Sequence, residues 1–333
     1  MKDVLNLLLR HQDLSFNQAR ETMEGIMSGV YSNAEIGGFL TAMAVKGETP
    51  QEIAGFADAM REKMVKVPLE SEAIDMCGTG GDGKGTFNIS TAASFVVAGA
   101  GVPVAKHGNR SISSKSGSAD VLSELGVDIQ MPPEKAGEMI EELGLGFLFA
   151  PAFHPAMKYV MPARKALGVR TVFNILGPLC NPAQVKRQVI GLFDGSLTEK
   201  MAHVLKLLDA KSAMLVHGDD GMDEITTVTG TNISWLNSDS EISSLYMDVE
   251  EMGFASSRVE DLQGGNAAEN AGIIRDILAG TSGPKRDIVV LNAAAGLVVA
   301  GRAENFQDGI GQAEESIDSG AAEQVLHQLV EAS

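Results

Sequence analysis

Apolar residues recur every three to four positions through the first part of the chain, which is the spacing of helices that bury one face. The pattern predicts four helices and no strand before residue 70, at residues 3–10, 15–28, 32–45 and 50–64. Ser15 and Ser32 suit helix N-caps, because their hydroxyls can accept the first free backbone N–H groups. We therefore expect a small helical domain at residues 1–69, whose apolar positions serve either core packing or an interface between two copies.

From residue 73 onward, short apolar runs alternate with helical patterns, which is typical of a mainly parallel sheet covered by helices. The predicted strands are residues 73–76, 102–105, 146–149, 189–192, 213–216 and 288–291, with a strand-rich excursion at 226–235 and 245–249. The predicted helices are residues 92–98, 133–143, 154–167, 171–176, 197–208, 267–278, 293–300 and 306–329. The expected fold is α/β: a small N-terminal α-helical domain and a large α/β domain at residues 70–333 with a central, mainly parallel sheet.

Charge and cysteine content narrow the possible partners. The 333 residues include 44 acidic and 26 basic side chains, for a formal net charge of −18. The electric field of this net negative charge repels nucleic acid and anionic membranes. A site that binds anions must therefore depend on positive groups in its immediate surroundings. Two cysteines, Cys77 and Cys180, form neither a disulfide framework nor a metal cluster. With no apolar stretch of membrane length and no secretory signal, the sequence predicts a soluble, cytoplasmic protein.

Five glycines follow the first predicted strand: Gly78, Gly80, Gly81, Gly83 and Gly85. Glycine lets a backbone turn through positive φ and approach a ligand closely. After them come Asn88, Ser90 and Thr91, which suit a helix start. A strand, a glycine loop and a helix N-terminus together favour phosphate or diphosphate binding. A purely structural turn is the alternative, since the loop matches neither the dinucleotide nor the P-loop motif.

A second polar stretch, residues 106–120, follows the strand predicted at 102–105. It holds three cations, one histidine, one asparagine and five serines. Fixed cations and hydroxyl donors suit phosphate oxygens, although a solvated basic loop is the alternative. Both stretches begin where a strand ends, so we expect them to face one cleft.

Asp223 and Glu224 form an acidic pair shortly after the strand predicted at 213–216. Neighbouring carboxylates can hold a divalent cation, directly or through water. The alternative is a solvated acidic turn.

Together these stretches resemble the anthranilate phosphoribosyltransferase family, within the nucleoside phosphorylase and phosphoribosyltransferase superfamily. Further matching stretches are residues 156–164, 170–182 and 222–225. The related pyrimidine nucleoside phosphorylases share the second polar stretch, but Thr-Phe-Asn-Ile-Ser-Thr at residues 86–91 points to the transferase. A phosphorylase, which should carry an extra C-terminal domain, is the alternative enzyme. A non-catalytic relative that binds nucleic acid is the alternative of another class, and the acidic charge disfavours it.

The resemblance implies a glycosyltransferase reaction of tryptophan biosynthesis that joins anthranilate to phosphoribosyl diphosphate, with Mg²⁺ as cofactor. It also implies a homodimer, and a segment at about residues 153–182 that joins the helical domain in space. No catalytic acid, base or nucleophile is expected, because orientation and electrostatics suffice for an amine that is already neutral.

The implied contacts with phosphoribosyl diphosphate are Gly78, Gly81, Asp82, Thr86, Asn88, Ile89, Ser90, Thr91, Lys106, His107, Gly108, Asn109, Arg110, Ser111, Ile112, Ser113, Ser114 and Ser118. Gly78, Asn109 and Arg164 should contact anthranilate, and Ser90, Asp223 and Glu224 should bind Mg²⁺. Lys106 is expected at a strand end, as the main charge on the diphosphate. Asp82 either contacts ribose hydroxyls or orders the loop, and His107 either contacts the anthranilate ring or orders its loop.

Overall fold

The computed structural model describes residues 1–111 and 115–333, so the expected contacts at Ile112, Ser113 and Ser114 lie outside the described residues. Its α-helices are α1 (Lys2–Leu8), α2 (Phe16–Met27), α3 (Asn33–Lys46), α4 (Pro50–Lys63), α5 (Ile89–Gly99), α6 (Ser118–Leu125), α7 (Pro133–Leu143), α8 (Ala150–Phe153), α9 (Met161–Leu167), α10 (Phe173–Leu176), α11 (Thr198–Leu207), α12 (Ala267–Leu278), α13 (Pro284–Ala300), α14 (Phe306–Asp318) and α15 (Ala321–Ala332). Its strands are β1 (Ile74–Gly78), β2 (Val104–Gly108), β3 (Leu145–Phe149), β4 (Arg187–Gly191), β5 (Ser212–Gly218), β6 (Thr231–Leu236) and β7 (Ile242–Met247). Short 3₁₀ helices lie at Pro155–Tyr159, Gly177–Leu179, Gly195–Leu197 and Val259–Leu262.

Four helices form the N-terminal part, as predicted. The Ser15 and Ser32 side chains each accept a backbone N–H three residues on, in complete capping boxes, and Thr49 does the same for α4. These caps satisfy donors that the helix starts would otherwise leave free. In the described part of the chain, no helix is long and apolar enough to cross a membrane.

The large part is built on one sheet of seven strands in the order β3-β2-β1-β4-β5-β6-β7, counted over the described residues. The first five strands are parallel, and β6 and β7 extend the sheet in antiparallel fashion. The strand order reverses between β1 and β4. Such a switch point opens a crevice beyond the carboxyl ends of the strands, where ligands of α/β proteins bind. Gly78 and Gly191 face each other at those ends.

The strand predicted at residues 288–291 is wrong, because these residues lie inside α13. A short apolar run buried on all sides has no periodicity that separates a strand from a helix. Helix α13 packs against α5, α14 and the sheet, so its apolar residues have no solvent side. Pro284 supplies the helix start, and the Asn292 side chain is satisfied by the backbone of Ile225 and Ile288.

The single helix predicted at residues 154–167 is also wrong. The segment contains the 3₁₀ helix Pro155–Tyr159 and then α9. Pro155 and Pro162 divide it, since proline lacks the N–H that continues a helix and disfavours helical backbone at the preceding residue.

Residues after α8 pack with the N-terminal helices. Val160, Phe173 and Leu179 share an apolar cluster with side chains of α1–α4 and of α11. Arg61 of α4 donates from Nε to the Leu179 carbonyl at 2.6 Å. The N-terminal helices and one side of the sheet are therefore joined through the segment that follows α8.

Candidate active site

The glycine-rich loop leaves β1 at the switch point. Gly80, Gly81, Gly83 and Gly85 have φ between 65° and 81°, which explains four of the five glycines. Gly78 is required for another reason, since a Cβ there would lie 2.8 Å from Oδ2 of Asp223. This oxygen accepts the Gly80 N–H at 2.8 Å. The loop thus lies directly against the acidic pair.

Gly191, at the end of β4, is a site residue that sequence reasoning missed. A Cβ at Gly191 would overlap the carbonyl oxygen of Asp223. Its own carbonyl accepts the Thr79 N–H at 2.9 Å. The close approach of residue 223 to the strand ends therefore depends on glycine at both 78 and 191.

The N-terminus of α5 faces the same crevice. Asn88 is its N-cap residue but does not cap the helix with its side chain. Its amide instead donates to the Ser116 carbonyl and accepts from Asn270. The two polar stretches are therefore in contact at Asn88 and Ser116. In the first turn of α5, the Ser90 N–H donates to Oε1 of Glu224 at 3.2 Å.

Asp223 and Glu224 are partly buried carboxylates with perturbed ionisation. Withdrawal from water, and next the neighbouring Asp82 carboxylate, raises the pKa of Asp223 to about 6. Withdrawal from water, and next the charge of Asp223, raises the pKa of Glu224 to about 8. Two carboxylates that resist ionisation beside one another can ionise together when a divalent cation lies between or next to them. Their oxygens are hard ligands of the type that Mg²⁺ prefers.

No group of three or more His, Cys, Asp or Glu side chains is arranged to hold a metal ion among residues 1–111 and 115–333. This arrangement differs from a closed protein cage. It is compatible with Mg²⁺, which commonly takes one or two carboxylates and completes its shell with substrate phosphates and water.

Lys106 lies in the middle of β2 rather than at its end, so the expected position is wrong. Its side chain is buried, and Nζ donates to the Met76 carbonyl at 2.7 Å and to Oγ of Ser90 at 3.4 Å. Burial lowers the pKa of Lys106. Nζ of Lys106 lies against the first turn of α5, where in its protonated form it adds positive potential to the helix N-terminus.

His107 pairs with a histidine that the sequence did not connect to it. Its ring Nε2 lies 3.3 Å from Nε2 of His154, and the ring centroids are 5.1 Å apart. Burial, and then the neighbouring ring, lowers the pKa of His107 to about 3, and burial lowers that of His154 to about 4. The pair is neutral near pH 7 and joins β2 to the segment after α8.

Arg164 on α9 lies with its guanidinium 5.3 Å from the centre of the Phe173 ring. Burial lowers its pKa. Its guanidinium has no carboxylate partner among the described residues. A partly buried guanidinium without a counter-ion suits a planar carboxylate ligand.

The other expected contacts lie in the two loops or at their ends. Oδ1 of Asp82 accepts the Lys84 N–H at 3.2 Å, which is a loop-ordering bond, while a ribose contact stays a prediction. Thr86 forms an isolated bridge with Gln263. Ile89 and Thr91 are buried in the first turn of α5. Gly108 ends β2, while Asn109, Arg110 and Ser111 begin the following loop and Ser118 begins α6.

Arg170 is a second residue that sequence reasoning did not single out. Its Nη2 donates to the Gly81 carbonyl at 2.6 Å, and its guanidinium lies 4.0 Å from the centre of the Phe193 ring. Phe193 in turn donates its N–H to Oγ1 of Thr79. Arg170 therefore connects the glycine-rich loop to the segment after α8, which packs with the N-terminal helices.

Family models match both parts of the chain. The helical bundle domain of a glycosyl transferase family matches residues 2–64, and the a/b domain of the same family matches residues 70–323. The fold and the crevice are therefore those of a two-domain glycosyl transferase.

Comparison with individual proteins and with a solved structure shows which glycosyl transferases this chain is similar to. The chain is 52% identical over 332 residues to an anthranilate phosphoribosyltransferase of Acetivibrio thermocellus, covering 99% of this chain and 96% of the relative. It is 50% identical to one of Alkaliphilus metalliredigens, covering 100% and 98%. The crystal structure of the Thermus thermophilus enzyme matches with a TM-score of 0.94, 42% identity and 99% coverage of both chains. The chain belongs to the anthranilate phosphoribosyltransferase family, as its sequence predicts.

Two similar solved structures are ligand complexes of the anthranilate phosphoribosyltransferase from Saccharomyces cerevisiae. One, in complex with PRPP and Mg, matches with a TM-score of 0.91 at 28% identity, covering 99% of this chain and 96% of that one. The other, in complex with 4-fluoroanthranilate, matches with a TM-score of 0.89 at 27% identity and the same coverage. The expected enzyme class and fold are confirmed.

Proposed function

We propose that the crevice beyond β1, β2 and β4 transfers the 5-phosphoribosyl group from phosphoribosyl diphosphate to the amine of anthranilate, giving N-(5-phosphoribosyl)anthranilate and diphosphate. The observation that carries this proposal is the convergence of the glycine-rich loop, the N-terminus of α5 and the Lys106 ammonium. Departure of diphosphate leaves positive charge on the ribose and negative charge on the leaving group. Donors already in place for that negative charge lower the barrier.

The donor site comprises Gly78, Gly81, Asp82, Thr86, Asn88, Ile89, Ser90, Thr91, the described residues Lys106, His107, Gly108, Asn109, Arg110, Ser111 and Ser118, and also Ile112, Ser113 and Ser114. Backbone N–H groups of the loop and of the first turn of α5 bind the diphosphate. Lys106 donates a hydrogen bond to the Ser90 hydroxyl and supplies positive charge next to the first turn of α5. The buried position of this lysine supports a fixed electrostatic role rather than proton transfer.

Ser90, Asp223 and Glu224 hold the Mg²⁺ that accompanies the diphosphate. The raised carboxylate pKa values and the short reach from Glu224 to the first turn of α5 support this assignment. The ion, when bound, neutralises the charge that develops on the leaving diphosphate. The protein's own part is to orient these oxygens and to keep the two carboxylates together.

Arg164, Asn109 and Gly78 form the anthranilate site. The guanidinium of Arg164 binds the carboxylate of anthranilate and so aims the amine at the ribose carbon. Its lack of a carboxylate partner among the described residues and its position over Phe173 support this role. No general base is required, because an aromatic amine is neutral and carries a lone pair at pH 7.

Residues 1–69 form the helical domain and residues 70–333 the α/β domain, with residues of about 153–182 belonging in space to the former. The packing of Phe173 and Leu179 with the N-terminal helices supports this division. The protein acts as a homodimer in the cytoplasm. The free thiols of Cys77 and Cys180 suit a reducing compartment.

The test is the loss of anthranilate fluorescence on mixing the enzyme with phosphoribosyl diphosphate, with and without Mg²⁺. We expect consumption that requires the metal, and Arg164→Ala should raise the KM for anthranilate by about tenfold to a hundredfold, because a charged pair is lost. The matched control is Lys165→Ala, which removes the next, exposed cation of α9. Equal effects of both substitutions would contradict the assignment of Arg164. Failure of the unaltered enzyme to consume anthranilate would refute the function.

A further inference from the structure

Asn88, at the N-terminus of α5, does not cap the helix as its position predicts. The side chain of an asparagine N-cap ordinarily accepts the N–H two or three residues on, which here belongs to Ser90 or Thr91. The Asn88 side chain makes neither bond. Its backbone, at φ −77° and ψ 74°, forms a tight turn in which the Ile89 N–H donates to the Phe87 carbonyl at 2.8 Å. The start of α5 is therefore left without a side-chain cap.

A buried asparagine of α12 holds the Asn88 side chain in this position. Asn270, only 2% exposed, donates from Nδ2 to Oδ1 of Asn88 at 2.9 Å. Its own Oδ1 accepts the Gly265 N–H at 2.8 Å. On the other side, Nδ2 of Asn88 donates to the Ser116 carbonyl at 3.3 Å. Since a backbone N–H lies at one end of this series of bonds and a backbone carbonyl at the other, both amides are fixed in one orientation.

The segment before α12 packs closely against the end of the glycine-rich loop. The Gly264 N–H donates to the Gly85 carbonyl at 3.0 Å, and the Phe87 N–H donates to the Leu262 carbonyl at 3.3 Å. A Cβ at Gly264 would lie 2.6 Å from both Cα of Phe87 and Oδ1 of Asn270. Backbone contacts that require glycine at residue 264 therefore fix the position of Asn270 beside the start of α5.

The bond from Asn270 keeps a donor of the first turn available to a ligand. Because the Ser90 N–H donates to Glu224, a capping Asn88 side chain would bind the Thr91 N–H. Thr91 is also 1% exposed, and its Oγ1 has no hydrogen-bond partner among residues 1–111 and 115–333. Buried polar groups are rarely left unpaired, so this hydroxyl indicates that a ligand atom or a water molecule binds there.

We propose that Asn270 is a positioning residue for phosphoribosyl diphosphate: it holds the Asn88 side chain away from the N-terminus of α5, so that the Thr91 N–H and hydroxyl bind phosphate oxygens of this substrate. The inference rests on the proposed function for the identity of the ligand. Without the bond from Asn270, the Asn88 amide caps the helix and competes with the phosphate groups for the same donor. Asn270 itself does not touch the substrate.

The test is a double-mutant cycle in the full-length enzyme. Asn270→Ala should raise the KM for phosphoribosyl diphosphate by about fivefold to tenfold, the factor by which a helix cap competes, while kcat at saturating substrate changes little. In an Asn88→Ala background the competing side chain is missing, so the same substitution should change this KM by less than about twofold. Asn270→Ser, whose hydroxyl is one bond too short to reach Asn88, replaces the alanine variant if the latter does not fold.

The matched control is Asn266→Ala, which removes the N-cap side chain of the same helix, α12. This variant should have a lower melting temperature but the same KM for phosphoribosyl diphosphate, because the bond between Asn270 and Asn88 remains. An equal rise of this KM in Asn266→Ala, the same factor for Asn270→Ala in both backgrounds, or no rise in Asn270→Ala would each overturn the proposal.

Calorimetric titration with phosphoribosyl diphosphate and Mg²⁺ separates this proposal from the proposed function. If the unaltered enzyme binds this substrate but consumes no anthranilate, the proposed function fails, and the dissociation constants of the same variants decide the role of Asn270. They should rise by the factors expected for the KM, and unchanged constants would overturn the proposal. If the unaltered enzyme does not bind phosphoribosyl diphosphate, both proposals are wrong.

Discussion

At the residue scale, the proposed binding of Mg²⁺ by Glu224 has a measurable consequence. Glu224→Gln removes the negative charge that the proposed Mg²⁺ site takes from this residue, while the amide can still accept the Ser90 N–H. We expect the Mg²⁺ concentration for half-maximal activity to rise by about tenfold or more, because one hard anionic ligand is lost. The control Glu241→Gln changes an exposed glutamate next to β7. A metal dependence that is the same in both variants would refute the role of Glu224.

The histidine pair makes stability depend on pH. In the unfolded chain a histidine has a pKa near 6.5, whereas in the fold His107 and His154 have values of about 3 and about 4. Below pH 6.5 the unfolded state therefore binds more protons. The contribution of the pair is complete above that pH and is lost as the pH falls toward 4, by up to about 1.4 kcal/mol per pH unit for each ring.

Urea unfolding at pH 7, 6 and 5 measures this effect. His154→Asn should show a shallower loss of unfolding free energy than the unaltered protein, because one titrating group is gone. His327→Asn, at an exposed histidine of α15, is the control. Identical pH profiles for the unaltered protein and His154→Asn would show that the pair does not titrate in this way.

At the element scale, Arg170 links the glycine-rich loop to the segment after α9. Arg170→Ala removes the bond to the Gly81 carbonyl and the contact with Phe193. We expect faster hydrogen exchange at residues 79–87 and a KM for phosphoribosyl diphosphate raised by about tenfold, since a looser loop must be ordered on binding. Arg302→Ala removes an exposed arginine far from this loop along the chain and serves as control. Unaltered exchange in Arg170→Ala would argue that the glycines alone hold the loop.

Elements with one exposed face were predictable, and those buried on all sides were not. Helices α2 and α3 follow from periodicity and their serine caps, and α7, which follows from periodicity alone, begins and ends where predicted. The second half of helix α13 was predicted, as a helix at residues 293–300, but its first half was assigned to a strand, because its apolar surface is continuous. The anion-binding chemistry of the two polar stretches could also be predicted from the sequence. The contacts of His107 with His154 and of Gly81 with Arg170 could not be predicted, because they join residues 47 and 89 positions apart in the chain.

At the scale of the whole molecule, the net charge of −18 coexists with a site for anions. The positive potential at the crevice is local. Backbone N–H groups, the start of α5 and buried Lys106 supply it, although the molecule as a whole is negatively charged. Because screening shortens the reach of surface charge but acts less on partly buried groups, the site can bind diphosphate despite the acidic surface.

An exposed apolar groove on the helical part is the surface that we assign to the proposed homodimer. A groove of about 480 Å³ runs between α1, α3 and α9 and is lined by Leu8, Leu9, His11, Ala34, Gly37, Gly38, Thr41, Ala42, Val45 and Leu167. Leu9 and Val45 are 74% and 73% exposed. The small residues of α3 recur at helical spacing, so a helix of a second copy can approach closely. Contiguous exposed apolar surface of this kind marks association in soluble proteins.

Leu9→Glu places a charge on an exposed residue that lines this groove and tests the proposed homodimer. We expect the dimer dissociation constant to rise by about a hundredfold or more, because a carboxylate buried in an apolar interface has no partner. Sedimentation velocity over a range of concentrations measures it, and circular dichroism checks that the variant remains folded. Leu245→Glu, the same substitution on strand β7, is the control, since Leu245 is also exposed but lies away from the groove. If Leu9→Glu dimerises as strongly as Leu245→Glu, the copies associate through another face, because an unpaired carboxylate in the groove would otherwise oppose their contact.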